Sequence, residues 1–272
     1  MATVLKGESL AKEVLLKLEP QTQNKNLKLA VVLVGDSEVS KKYITEKQKA
    51  AEKLDIEFSL SVLRKEVSQE ELEKKVEELA NESSGVVVQL PLPQHINTPS
   101  VLNKIPVEED VDVLSEKSFE LFKQGKLGIL PPTVAAISKL LEASVVSLEN
   151  KQVVLVGKGR LVGLPLSVWF LQKGITPIVV DKSTPNIGEV TKTADILISA
   201  TGKAGLIKGD MVKEGAVVID AGTSVESGDT KGDVDFESVS KKASFITPVP
   251  GGVGPLTVAC LLQNLVTLWT RS

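Results

Sequence analysis

A tyrosine and a lysine stand four residues apart in a stretch with helical periodicity. The segment SKKYITEKQKAAEKL, residues 40–54, is predicted to be a helix, which would place Tyr43 and Lys47 on one face. A lysine on a concave, partly desolvated face can lose its proton near neutrality and then serve in acid–base chemistry. Helical lysines are also commonly solvent-facing, so the spacing alone leaves both interpretations open.

Three other polar residues stand in unusual sequence contexts. Gln89 interrupts an otherwise apolar strand just before Pro91, and a buried amide needs a partner from the protein or from a ligand. Asp110 and Asp112 in EEDVDVL carry carboxylates, which are common ligands of divalent cations. Two carboxylates without histidine or further ligands make a weak metal site, so we expect no metal.

The histidine and the cysteine are poor candidates for catalysis. His95, the only histidine, stands beside prolines and is predicted to be a turn residue, which excludes a Ser-His-Asp triad unless His95 itself serves. Cys260 falls in an apolar helix and is predicted to be packed core.

A glycine-rich segment, GKGRLVG at residues 157–163, follows a predicted buried strand and opens a predicted helix. Glycines at such a place let the backbone approach a pyrophosphate, whose charge the helix N-terminus favours. The spacing has one residue more than the usual dinucleotide fingerprint. In this strand context we expect Gly157, Lys158 and Gly159 to bind a cofactor.

Asp181 ends the next predicted strand, 24 residues beyond Gly157. A carboxylate there can accept hydrogen bonds from an adenosine ribose and repels a 2′-phosphate. Lys158, Arg160 and Lys182 lie nearby in sequence and would attract the same phosphate. The two signals conflict, and a solvated carboxylate at the strand end is a third interpretation.

A proline- and glycine-rich segment, PVPGGVGP at residues 248–255, lies between a predicted strand and the last predicted helix. Three prolines and three glycines in such a connection fix an unusual backbone path, which often means backbone contact with a ligand.

The elements that must position these residues alternate between apolar strands and charged helices. This order predicts parallel α/β layers with right-handed crossovers. In the second half, four strands separated by short helices are typical of half of a dinucleotide-binding fold. The predicted strands lie at residues 27–35, 59–65, 85–93, 151–159, 176–181, 195–201 and 216–222, and the predicted helices at 40–54, 68–81, 134–143 and 254–269.

Composition narrows the class of protein. The chain has 272 residues, 42% hydrophobic and 25% charged, with a net charge of −3 and 3% aromatic residues. This balance indicates a globular protein of two domains with an aliphatic core, and it disfavours a nucleic-acid partner. One cysteine, no signal-peptide pattern and no apolar run of membrane-spanning length lead us to expect a cytoplasmic protein with no membrane partner.

The segments GVVVQLPLPQHI, EEDVD, GDVDF and ITPVPGGVGPLTVA together resemble signatures of the bifunctional methylenetetrahydrofolate dehydrogenase/cyclohydrolase family. The resemblance covers essentially the whole chain. It implies a folate domain at residues 1–125 with the C-terminal helix 255–272 packing back on it, and a Rossmann-like NAD(P) domain at 126–254. It also implies a cleft between the domains, usually a homodimer, and tetrahydrofolate derivatives as substrates in purine-linked one-carbon metabolism.

The implied chemistry is oxidation of 5,10-methylenetetrahydrofolate to the methenyl cation, which water then opens to 10-formyltetrahydrofolate. Carried onto this sequence, Lys47 is the acid–base group, Gln89 tunes it, Tyr43 stacks on the folate and Asp112 anchors the pterin. Ser40 and the turn Pro250, Gly251 and Gly252 line the folate slot, and the cofactor contacts come from Gly157, Lys158, Gly159, Asp181, Thr201 and Thr223.

Departures from the family pattern cluster on the cofactor side. Gly157-Lys158-Gly159 replaces Gly-Arg-Ser, and Asp181-Lys182-Ser183 replaces His-Ser-Arg or His-Ser-Lys. Asp220-Ala221-Gly222-Thr223-Ser224 replaces Asp-Val-Gly-Ile-Asn, Pro131-Pro132-Thr133-Val134 replaces Pro-Cys-Thr-Pro, and Val113 replaces a glycine. NADP is the family's usual cofactor, and these changes predict increased use of NAD.

Two rival interpretations are considered. A short-chain dehydrogenase also has a Tyr-x-x-x-Lys pair, but there the pair follows the glycine loop, whereas Tyr43 precedes Gly157. The other rival is a folate-binding protein, or a cyclohydrolase alone, that has lost dehydrogenase activity through its altered cofactor loop.

Overall fold

The structure is a computed structural model that describes residues 1–226 and 229–271. The strands are β1 Thr3–Val4, β2 Lys28–Val34, β3 Glu57–Leu63, β4 Gly85–Val88, β5 Val153–Val156, β6 Ile178–Val180, β7 Ile196–Ser199, β8 Val217–Asp220, β9 Ser224–Glu226, β10 Asp229–Lys231 and β11 Phe245–Ile246. The α-helices are α1 Gly7–Thr22, α2 Glu38–Lys53, α3 Gln69–Glu82, α4 Thr98–Leu102, α5 Glu116–Lys123, α6 Pro132–Ala143, α7 Gly163–Gln172, α8 Ile187–Thr191, α9 Phe236–Val239 and α10 Val253–Trp269. A 3-10 helix spans Gly209–Met211.

The chain divides into two compact units. We call them the three-strand unit, residues Ala11–Pro132 and the chain from Val258 onward, and the six-strand unit, residues Met1–Leu10 and Thr133–Thr257. No helix among the described residues is both long enough and apolar enough to cross a membrane.

The three-strand unit is built on a parallel sheet with the order β3-β2-β4. The central strand β2 is buried from Leu29 to Val34, because helices cover a sheet of this kind on both faces. Helix α3 begins after Ser68, whose side chain accepts a hydrogen bond from the backbone N–H of Glu71 at 3.1 Å.

Helix α10 packs against the three-strand unit. The Asn264 side-chain amide donates to the carbonyls of Val111 at 2.9 Å and Leu130 at 2.8 Å. Arg271 donates to the carbonyl of Leu127 at 3.1 Å. The prediction that the last apolar helix packs back on the first part of the chain is confirmed.

The six-strand unit contains a parallel sheet with the order β1-β11-β8-β7-β5-β6. The four strands β5, β6, β7 and β8 lie within the segments predicted from the sequence. Strands β1 and β11 were not predicted, because each has only two residues and so too few for a periodic pattern.

The strand predicted at residues 85–93 is shorter than expected, since β4 ends at Val88. The prolines that follow have no backbone N–H to continue a ladder. Gln89 is therefore not inside a strand. It stands directly after one, with its backbone N–H donated to the Val32 carbonyl at 2.9 Å.

Candidate active site

Helix α2 carries Lys47 on its buried face. The Ser37 side chain caps the helix by accepting a hydrogen bond from the backbone N–H of Ser40 at 3.3 Å. Ser40, Ile44, Lys47 and Ala51 are all buried, and their spacing defines one stripe along the helix. Lys47 is thus placed in the position of a core residue, with only 9% of its surface exposed. Tyr43 lies one turn before it and is partly buried.

The Lys47 amine is held by the side chain of Gln89. Lys47 Nζ donates to Gln89 Oε1 at 2.9 Å. The amide group of Gln89 also donates through Nε2 to the Leu90 carbonyl at 3.1 Å, which fixes the orientation of the acceptor. Burial lowers the pKa of Lys47, and the charge of Asp112 partly opposes that shift.

Asp112 lies on a segment that runs beside β4. The backbone N–H of Val86 donates to the Glu109 carbonyl at 2.9 Å, and Asn264 holds the carbonyl of Val111. Burial raises the pKa of Asp112, while the charge of Lys47 lowers it and that of Asp110 raises it further. Asp112 and Lys47 are therefore both displaced by burial toward their neutral forms.

Asp110 has a structural function. Its carboxylate is fully buried and accepts from the backbone N–H groups of Leu114 at 3.0 Å and Ser115 at 2.8 Å. Over the residues the structure describes, no cluster of three or more His, Cys, Asp or Glu side chains could hold a metal ion. Of the weaker candidates, exposed His95 bonds through Nε2 with the Val67 carbonyl at 3.0 Å, and Cys260 is buried in α10.

The two predicted parts of the folate slot lie in different units. Ser40 belongs to α2 in the three-strand unit. Gly251 has φ of +97°, and a Cβ on Gly252 would lie 2.4 Å from the Pro248 carbonyl oxygen, so this turn requires glycine. Pro250 precedes them in the same turn of the six-strand unit, next to the start of α1. That Ser40 and this turn bind one ligand stays a prediction.

The glycine loop has the shape that a phosphate-binding turn needs. Gly157 follows β5 with φ of +103°, and a Cβ there would lie 2.5 Å from the Ala200 carbonyl oxygen. A Cβ on Gly163 would lie 2.0 Å from the Gly157 carbonyl oxygen, so only glycine lets α7 begin this close to the loop. Gly159 has open space around its Cβ position. The exposed backbone of Lys158 and Gly159 therefore fits a dinucleotide pyrophosphate.

Asp181 is held at the carboxyl end of β6 as an ionised group. Its carboxylate pairs with Lys158 Nζ and accepts from Ser183 N at 2.8 Å and Ser183 Oγ at 2.6 Å. These donors, led by Lys158, hold the pKa of Asp181 well below its ordinary value. Asp181 and Lys158 thus come together as a charge pair beside the glycine loop.

Thr201 and Thr223 follow the neighbouring strands β7 and β8. The backbone N–H of Thr201 donates to Asp233 Oδ2 at 2.6 Å, and Thr223 is partly buried. The carboxyl ends of β5, β6, β7 and β8 therefore carry all six residues predicted to contact the cofactor. Sequence reasoning missed Asn264 and Asp233 as positioning groups, although the acidic segment GDVDF that contains Asp233 is visible in the sequence.

Comparison with known proteins identifies the family. Residues 5–112 match the catalytic domain of tetrahydrofolate dehydrogenase/cyclohydrolase, and residues 131–272 match the NAD(P)-binding domain of tetrahydrofolate dehydrogenase/cyclohydrolase. The chain belongs to this family. It is a bifunctional enzyme, an oxidoreductase and a hydrolase of one-carbon metabolism with a nicotinamide dinucleotide as cofactor.

The similarity extends over whole chains. The chain is 45% identical to a bifunctional protein FolD of Hydrogenobaculum sp., over 98% of this chain and 99% of that protein. It is 43% identical to bifunctional protein FolD of Aquifex aeolicus, over 100% of this chain and 96% of that protein.

Solved structures agree with these sequence matches. The bifunctional FolD enzyme of Campylobacter jejuni has a TM-score of 0.93 at 38% identity, over 100% of this chain and 99% of that one. The Trypanosoma brucei enzyme, solved with NADP and an inhibitor, has a TM-score of 0.94 at 34% sequence identity. The match covers 99% of this chain and 98% of that one. No finding supports the alternative of a folate-binding protein without dehydrogenase activity.

Proposed function

We propose that Lys47 is the acid–base group that converts 5,10-methenyltetrahydrofolate to 10-formyltetrahydrofolate in this enzyme. The observation that supports it is the buried Nζ of Lys47 held 2.9 Å from Gln89 Oε1. A neutral amine can take a proton from a water molecule as the water oxygen bonds to the methenyl carbon. The protonated amine then returns that proton to the ring nitrogen N5 as the C–N5 bond breaks. The hydroxyl group on the carbon loses its proton to solvent as the carbonyl forms, which leaves a formyl group on N10.

The neutral state of the amine is essential to this step. The methenyl substrate is a cation, and an ammonium group beside it would repel it in a site of low dielectric constant. Burial of Lys47 lowers its pKa in the direction the chemistry needs. Gln89 holds the amine through a neutral acceptor, which orients Nζ without adding a charge.

The preceding oxidation depends on alignment more than on proton transfer. When bound, the nicotinamide cofactor supplies the acceptor for the hydride that leaves the methylene carbon. The residues bind and orient: Tyr43 stacks on the folate, Asp112 bonds to the pterin, and Ser40 with Pro250, Gly251 and Gly252 lines the slot.

Replacing Lys47 tests the proposal. Lys47→Met keeps the length and apolar stem of the side chain but removes the amine, and we expect hydrolysis to fall by about 10²- to 10⁴-fold. Folate binding should remain measurable. The control is Lys49→Met on the same helix, since Lys49 is exposed and pairs with Glu46 at 2.8 Å. Hydrolysis by Lys47→Met at the rate of the Lys49 variant would remove Lys47 from the mechanism.

For the cofactor, we propose that this enzyme keeps NADP as a usable substrate but has increased use of NAD. The support is the Asp181 carboxylate at the end of β6, which accepts hydrogen bonds and repels a 2′-phosphate. The amine of Lys158 pairs with that carboxylate. The carboxylate partly neutralises the positive charge of Lys158, which therefore attracts a 2′-phosphate less strongly.

Two substitutions of opposite charge test the cofactor proposal. Asp181→Ser should raise the ratio of kcat/KM for NADP over NAD by about tenfold, since contacts with charged groups contribute roughly 1.5 to 3 kcal/mol. Lys158→Met leaves the carboxylate without its cation and should lower the same ratio. A strong preference for NADP in the unmodified enzyme, unchanged by Asp181→Ser, would contradict the proposal.

We also propose that the enzyme is a cytoplasmic homodimer that supplies one-carbon units for purine biosynthesis, without nucleic-acid or membrane partners. We propose functional domains at residues 1–125 with 255–272 and at 126–254. The two family matches, which end at 112 and begin at 131, support a border in this region. The edge position of β3, with exposed Leu60 and Val62, supports association with a second copy.

A further inference from the structure

Two buried carboxylates meet at the carboxyl ends of β7 and β8. Asp220 is the last residue of β8 and is paired in register with Ser199, the last residue of β7. Asp233 is fully buried, and its Oδ2 accepts from Ser199 Oγ at 2.7 Å. Ligands of open α/β sheets bind outside this edge of the sheet.

Asp233 holds the loop that follows β7. Its carboxylate accepts from the backbone N–H of Thr201 at 2.6 Å and of Lys203 at 2.9 Å, in addition to the Ser199 hydroxyl. All three partners are donors, so they stabilise the ionised carboxylate and would not suit an amide in its place.

Asp220 holds the loop that follows β8 and ties it to Asp233. It accepts from the backbone N–H groups of Gly222 at 2.9 Å, Asp233 at 3.1 Å and Val234 at 2.9 Å. A Cβ on Gly222 would lie 2.0 Å from Asp233 Oδ1, and one on Gly232 would lie 2.0 Å from Asp220 Oδ2. Glycine is needed at both positions because the backbone approaches the carboxylates so closely.

Burying two neighbouring carboxylates costs free energy, which indicates that they have a function beyond packing. Burial raises the pKa of Asp220 to about 6, and the neighbouring charge of Asp233 adds to the shift. Among the ion pairs of residues 1–226 and 229–271, none includes either carboxylate. Asp195, before the start of β7, has a cation partner instead, Lys213 at 2.7 Å.

We propose that Asp233, together with Asp220, is a positioning residue that holds the loops after β7 and β8 in the conformation that binds the nicotinamide cofactor. The inference rests on the cofactor contacts that the family resemblance predicts for Thr201 and Thr223, which lie on these two loops. Since hydrolysis needs no cofactor, loss of Asp233 impairs the oxidation and leaves the hydrolysis intact.

The test measures cofactor binding and both activities in the full-length enzyme. Asp233→Asn should raise the Kd for NADP and NAD, measured by fluorescence titration, at least tenfold and lower dehydrogenase kcat/KM. The kcat for methenyltetrahydrofolate hydrolysis should stay within twofold. The control is Asp195→Asn, which removes a carboxylate bonded to the Gln152 backbone N–H at 2.8 Å and should change none of these values more than twofold.

Several outcomes would overturn the inference. A folded Asp233→Asn enzyme that binds cofactor within twofold of the unmodified protein would do so, as would an equal loss of both activities. If that variant fails to fold, Ser199→Ala replaces it in the test, because it removes one donor to Asp233. The Kd for NADP and NAD should then rise threefold or more, and an unchanged Kd overturns the inference. A strong preference for NADP that Asp181→Ser leaves unchanged would reject the proposed cofactor function but not this inference, whereas failure of the unmodified enzyme to bind either cofactor would reject both.

Discussion

Lys47 and Asp112 illustrate at the scale of residues how burial prepares groups for proton transfer. Each is driven toward its neutral form by desolvation, and each opposes the other's shift through its charge. Groups that interact in this way titrate as a coupled pair, so a change at one moves the apparent pKa of the other.

The pH dependence of hydrolysis tests this coupling. The rate should rise with pH as the neutral fraction of Lys47 increases, and it should level off below the ordinary lysine pKa of about 10.4. Asp112 raises the pKa of Lys47, so Asp112→Asn should move the rising limb to lower pH. The measurement is kcat at saturating methenyltetrahydrofolate, corrected for spontaneous hydrolysis. A limb that stays in place or moves to higher pH would contradict the coupling.

The sequence could predict these residues only in part. Helical spacing places Tyr43 and Lys47 on one face, but the decisive fact is that Lys47 lies on the buried stripe of α2. That depends on the packing of the helix against its unit. Gln89 is 42 residues away from Lys47, and its approach follows from the parallel pairing of β2 with β4. Its role was therefore implied by family resemblance and not by any local pattern.

At the scale of elements, two valines adopt the left-handed backbone conformation that favours glycine. Val113 has φ of +57° and follows Asp112, and Val145 has φ of +55° and follows α6. They differ in burial, since Val113 is 2% exposed and Val145 is 90% exposed. A β-branched residue in this conformation costs about 1 to 2 kcal/mol.

Replacing each valine with glycine should have different results. Val145→Gly removes strain at the end of a helix and loses no buried surface, so the free energy of unfolding should rise by about 0.5 to 1 kcal/mol. Val113→Gly removes the same strain but gives up a buried side chain that contributes about 1.5 to 3 kcal/mol, so no gain is expected. Urea unfolding of both variants measures the difference. Equal effects at the two positions would show that burial does not decide the outcome.

Elements with strong periodicity or clear caps were predictable, and short ones were not. The stop of β4 at Val88 shows why a continuous apolar run overestimates a strand, since the prolines after it cannot donate to a neighbour. Strand β1 pairs only with β11, and β11 also pairs with β8, so both short strands depend on neighbours that are distant in sequence. That contact joins the first residues of the chain to residues more than 200 positions later, and no local pattern contains it.

At the scale of the whole molecule, the three-stranded sheet has an edge that a second copy can cover. Strand β3 pairs with β2 on one side, and its other side is the edge of the sheet. Leu60 and Val62 lie on one face of β3 and are 43% and 59% exposed. An apolar edge strand of this kind tends to associate with another chain unless charges or bulges prevent it.

The proposed homodimer can therefore be tested at this strand. The double variant Leu60→Lys, Val62→Lys places two charges on the edge, and we expect it to sediment as a monomer at concentrations where the unmodified enzyme is a dimer. The matched control is Leu164→Lys, Leu171→Lys on α7, where both leucines are also exposed, at 45% and 56%. That control should stay dimeric, because apolar exposure alone does not define an interface. Sedimentation velocity distinguishes the species, and a double β3 variant that remains dimeric would place the interface elsewhere.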